Sequence, residues 1–112
     1  LNLDGIIWGQ GEGDAVAGTS ESAYNTHLTD TISIIDNAIG FTKWFNCSMP
    51  DYTGWTTQGN WEAIDDAQQA VASANSKVFY VSGNNIAGAV GDEVHYDLAG
   101  NETVGGNIAG AV

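Results

Sequence analysis

The chain has 112 residues, with 14 acidic side chains against two lysines and no arginine, for a formal net charge of −12. Nucleic-acid binding needs a basic surface that displaces counterions from phosphates, and a helix lying on a membrane needs Lys or Arg facing anionic lipid, so neither class of partner fits this chain. At 43% hydrophobic and 10% aromatic residues it holds enough apolar material for a packed core, which excludes disorder, and its length matches one domain on the usual scale of roughly 100–200 residues.

Only 14% of residues are charged, so Asn, Thr, Ser, Gln and Gly finish the surface. An acidic surface this poor in lysine suits a high-salt or extracellular setting, where screening weakens self-repulsion. The single cysteine, Cys47, excludes an internal disulfide and any C-x-x-C redox or zinc spacing. No apolar run approaches the roughly 18 residues that span a bilayer. No secretory leader is visible and the sequence opens on Leu1, so a processed product or an excerpt of a longer protein is expected.

In chain order, the compact apolar run Gly5-Ile6-Ile7-Trp8 predicts a buried strand ending in the glycine cluster Gly9, Gly11 and Gly13. Residues Ser20 to Ile39 carry Tyr24, Leu28, Thr31, Ile32, Ile35 and Ile39 at helical spacing, closed by Gly40. Phe41 to Cys47 predicts a second strand, followed by the loop Ser48 to Gly54. A second helix opens at Asn60 as N-cap, with Trp61, Ile64, Ala67, Gln68 and Val71 on one face. Val78-Phe79-Tyr80-Val81 predicts the third strand, and Leu98 to Val112 a last helix weakened by its glycines. Three strands alternating with three helices demand crossover connections, hence an α/β fold on a parallel sheet, in one domain. The hexapeptide Asn-Ile-Ala-Gly-Ala-Val occurs at Asn85–Val90 and at Asn107–Val112, and two copies do not make a solenoid.

Ligands of open parallel sheets sit beyond the carboxyl ends of the strands. Two segments rich in chemical groups fall there. In Gly9-Gln10-Gly11-Glu12-Gly13-Asp14, a dinucleotide motif would place its third glycine at Asp14, and Glu12 and Asp14 would repel a pyrophosphate. Two alternatives remain open: Gln10 donates to a developing oxyanion while Glu12 braces the loop through backbone N–H groups, or the segment is an ordinary glycine-rich turn. In Asp92-x-x-His95, the carboxylate can accept from Nδ1–H and leave Nε2 as a general base; alternatively His95 makes only a structural hydrogen bond. His27, on the polar side of the first helix with no close sequence partner, is expected to be a surface or packing residue rather than a catalytic one. Asp92, Glu93, His95 and Asp97 crowd one loop without a zinc or calcium ligand spacing, so no metal site is assigned.

The run Ile6-Ile7-Trp8-Gly9-Gln10-Gly11-Glu12-Gly13-Asp14-Ala15 resembles the third conserved block, W-x-Q-G-E-S-D-A, of the SGNH hydrolases in their carbohydrate acetylesterase branch, related to sialate O-acetylesterases. Asp92 to Gly100 is similar to that family's final D-x-x-H block, and Trp61 to Gln68 to the helix between them. Gly13 stands where the family has Ser. The resemblance implies a flavodoxin-like three-layer α/β/α fold, of which residues 1–112 form the C-terminal part with about three of five strands. It also implies hydrolysis of an acetyl ester on a sugar through an acyl-enzyme, without a cofactor. Gln10 and Gly11 would then serve the oxyanion hole, Glu12 would support it, His95 would be the base and Asp92 its partner.

One departure from the family is large. Its nucleophilic serine lies in a G-D-S or G-Q-S block upstream, and Ser20, Ser22, Ser33, Ser48, Ser73, Ser76 and Ser82 all lack that context. Without a nucleophile His95 has nothing to activate, so the isolated chain is expected to be inactive. The strand beside Gly5–Trp8 would be missing, leaving a sheet edge for an N-terminal chain or for self-association. The charge favours a neutral acetylated sugar over an anionic one. A different class stays open: a noncatalytic carbohydrate-binding or assembly module, with Trp44, Trp55, Trp61 and Tyr52 as stacking faces.

Overall fold

The structure is a computed structural model that describes residues 3–50, 60–83, 86 and 95–111. Within them three strands and four helices alternate: β1 (Leu3–Trp8), α1 (Glu12–Ala17), α2 (Glu21–Ala38), β2 (Phe41–Cys47), α3 (Trp61–Ala74), β3 (Val78–Val81) and α4 (Leu98–Gly110). The strands form one parallel sheet in the order β1-β2-β3. The register sets Leu3 opposite Phe41 and Trp8 opposite Asn46, then Trp44 opposite Val78 and Cys47 opposite Val81. The expected α/β class and parallel sheet are therefore present.

The period-2 alternation of β2 divides the apolar residues between two cores. Trp44, with Phe41 and Val78, faces Tyr24, Leu28 and Ile32 of α2 and Ile64, Ala67 and Val71 of α3. Trp44 is fully buried, and its indole N–H donates to Asn46 Oδ1 at 2.7 Å on the same face. Phe45 and Cys47 point the other way and meet Val81 of β3 and Val104 of α4. No residue of β1 joins this second cluster, and Ile7 is 64% exposed on that face. Among the described residues α4 thus covers the β2–β3 half of the sheet, and β1, an edge strand, is open on this side.

The structure departs from the sequence reading at the glycine cluster and refines the ends of the other helices. The glycine cluster contains a short helix, α1, which opens on Gly11 at φ 153 and closes on Gly18. A side chain at Gly11 would be strained in that conformation, and its Cβ would stand 2.7 Å from Ile64 Cγ2. Ser20 caps α2 by accepting from Ala23 N at 3.3 Å, and Gly40 follows the helix at φ 71. Asn60 holds the N-cap position of α3, but its amide donates to Thr19 O at 3.1 Å and its backbone N–H to Ala15 O at 2.9 Å, tying α3 to α1. The last helix ends at Gly110.

Candidate active site

A cavity of about 350 Å³ opens at the carboxyl end of the sheet. Glu12, from the start of α1, and His95, from the segment before α4, both line it, together with Ile7, Gly9, the turn Cys47 to Pro50, Tyr96, Asn101 and Val104. One residue of the first motif and one of the last therefore share this cavity. The strands are parallel, so the segments after β1 and after β3 leave the sheet at the same end.

Glu12 is half-buried and its Oε2 accepts from Gly11 N–H at 3.0 Å. The Gln10 side chain faces a different cavity, shared with Trp8, Asp14, Tyr24 and His27. Its Nε2 donates to Asp14 Oδ2 at 3.2 Å and its Oε1 accepts from the Tyr24 hydroxyl at 3.2 Å. The Gln10 carbonyl is held twice, by the Tyr24 hydroxyl at 2.8 Å and by Gln68 Nε2 at 3.1 Å. Asp92 lies outside the described residues, as do Glu93, Trp55, Tyr52 and all of the first hexapeptide except Ile86.

His95 is exposed and sits two residues before the N-cap of α4. Asp97 Oδ1 caps that helix by accepting from Gly100 N–H at 2.6 Å. Asn101 reaches back so that its Nδ2 donates to Tyr96 O at 3.1 Å and to Asp97 O at 2.9 Å. Asp97 is thereby committed to the helix, and among the described residues no group of three side chains is placed to hold a metal ion. His27 is exposed on α2 and lines the cavity that Gln10 faces.

Two hydroxyls line the cavity among the described residues, and each donates to a backbone carbonyl. Ser48 Oγ donates to Met49 O at 3.1 Å while accepting from Gly83 N–H at 2.8 Å. The Tyr96 hydroxyl donates to Ser48 O at 2.6 Å, and burial pushes this phenol above its ordinary range. Burial likewise raises the Cys47 thiol, so it stays a neutral packing group.

Compared with known proteins, the profile of the family described as carbohydrate esterase, sialic acid-specific acetylesterase, matches residues 2–112. The chain belongs to this carbohydrate esterase family. No curated protein and no solved structure gives a significant match. In this esterase-family chain the sequence motifs did not reveal the residues that hold the Gln10 loop. Tyr24 and Gln68 read as parts of helical faces, and only their hydrogen bonds to Gln10 show what they fix. Asn101 gave no signal of its own beyond its place one turn after the N-cap Asp97.

Proposed function

We propose that this chain supplies the loop support and the general base of an acetylesterase acting on acetylated sugars. The attacking serine arrives on a segment that pairs along the open edge of β1. The observation that carries this reading is the meeting of Glu12 and His95 in one cavity at the carboxyl end of a parallel sheet, in a chain of the carbohydrate esterase family. Ser48 and Tyr96 are engaged by backbone groups, which favours a nucleophile from elsewhere. The edge position of β1, next to the exposed Ile7, favours a pairing strand there over any other entry.

In the proposed reaction the serine oxygen attacks the acetyl carbonyl as His95 Nε2 takes its proton, with Asp92 fixing the tautomer. The tetrahedral oxyanion collapses, the sugar hydroxyl leaves with the proton held by His95, and water then hydrolyses the acyl-enzyme by the same base. Glu12 keeps the Gly9–Gly11 loop in shape throughout. For Gln10 to donate to the oxyanion, its amide must exchange the bond to Asp14 for one to the substrate. The family description names sialic acid, an anionic sugar, and a chain of net charge −12 repels anions, so a neutral acetylated sugar is the favoured substrate. The binding-module alternative loses one of its stacking faces, since Trp44 is fully buried.

Mixing the chain with a polypeptide carrying the family's nucleophile block, and following acetyl release from p-nitrophenyl acetate, tests this. Activity is expected to appear on mixing and to fall by on the order of 10³-fold or more with His95→Ala. Activity that survives that substitution overturns the assignment.

A further inference from the structure

We infer that Tyr96 is a positioning residue that fixes His95 over the cavity, an inference that rests on His95 being the base. Three segments meet at Ser48. Its N–H donates to Val81 O at 3.0 Å, its Oγ accepts from Gly83 N–H at 2.8 Å, and its carbonyl accepts from the Tyr96 hydroxyl at 2.6 Å. The end of β2, the exit from β3 and the segment leading into α4 are thus fastened at a single residue. The fit leaves no room for a side chain at Gly83, where a Cβ would run into the Tyr96 hydroxyl, the Met49 carbonyl and Ser48 Oγ.

Tyr96 is held at both of its ends. The ring packs against the Phe45, Cys47, Val81 and Val104 cluster, and the carbonyl accepts from Asn101 Nδ2 at 3.1 Å. His95 is the residue immediately before it, exposed, on the side away from the helix cap. A base carried on a loop loses rate when its geometry drifts, and a displacement of about 1 Å costs up to about 100-fold. The phenol hydroxyl ties this loop to the end of β2 at the cavity wall. Removing it leaves the ring in the core and the α4 cap intact.

Two-dimensional NMR of the imidazole Cε1–Hε1 signals reads the effect directly, with His27 as an internal reference. In Tyr96→Phe the His95 signal is expected to move toward the position of a free imidazole while His27 stays in place. Ile108→Ala, which loosens the same apolar cluster but keeps the hydroxyl, leaves the His95 signal unmoved. An unchanged His95 signal in folded Tyr96→Phe overturns the inference, and so does an equal shift in Ile108→Ala. Should Tyr96→Phe not fold, nuclear Overhauser contacts in the wild-type chain between the Tyr96 ring and the Gly83 α-protons decide it, support if present and refutation if absent. In the reconstituted esterase Tyr96→Phe is expected to lower kcat by up to about 100-fold with KM little changed. The NMR result stands whether or not the chain proves to be an esterase, so the two readings fail separately.

Discussion

At the scale of single residues, two glycines two positions apart are held for opposite reasons. Gly11 combines φ 153 with a blocked Cβ direction toward Ile64, whereas Gly13 lies in α1 with open space around its Cβ. Gly11→Ala is therefore expected to destabilise the chain by about 1–3 kcal/mol. Gly13→Ala is expected to stabilise it by roughly 0.5–1 kcal/mol through helix propensity. Urea denaturation of both variants checks the pair, and equal effects would contradict the geometry. The buried phenols give a second prediction. Burial, then the hydrogen bond to Asp65 Oδ1 at 2.6 Å, pushes Tyr80 up to about 12, and burial raises Tyr24 and Tyr96 as well. These groups favour the folded state while protonated, so their contribution is complete below the ordinary phenol value of 10.0 and is lost as pH rises through about 12. Urea midpoints measured across that alkaline window should fall, and fall less steeply in Tyr80→Phe.

At the scale of elements, the strands and long helices were legible because their signals are local. Val78–Val81 is dense in β-branched and aromatic residues, and α2 repeats Tyr24, Leu28 and Ile32 at helical spacing. α1 was hidden: it spans 6 residues beside Gly11 and Gly13, and its start depends on a backbone conformation that composition does not announce. The site was legible in part. Glu12 and His95 could be named from their motifs, but their meeting follows from strand order, which long-range pairing sets. The direction of the Gln10 side chain was not legible, because Tyr24, 14 positions away, holds its Oε1, while Gln68, 58 positions away, holds its backbone carbonyl. Amide hydrogen exchange tests the sheet itself. Among the described residues β2 is paired on both sides and β1 on one, so Trp44 and Phe45 should exchange most slowly, with β1 less protected. Protection of β1 equal to that of β2 would mean that another strand already lies along its edge.

At the scale of the whole molecule, a net charge of −12 on 112 residues opposes compaction, and two lysines do little to offset it. Lys77 spends its charge locally, 2.7 Å from Asp36 Oδ2 and 5.2 Å from the centroid of the Phe41 ring. Salt should therefore raise the melting temperature. Relief of about 1 kcal/mol of repulsion corresponds to roughly 4–8 °C for a chain near this size. Thermal melts across a sodium chloride series check this, and a flat or falling Tm would show that the acidic groups are too dispersed to repel. The parallel sheet also governs how the chain reaches its structure. Pairing Leu3 with Phe41 joins positions 38 apart (41 − 3), and pairing Trp44 with Val78 joins positions 34 apart (78 − 44). Neither ladder can start as a hairpin. Each must wait until the intervening helix has brought its strands together, so folding proceeds through long loop closures and is slow for a chain of this length. Throughout that delay the apolar residues of β1 stand in water, and the same excess of negative charge that weakens the finished fold keeps unfinished chains apart.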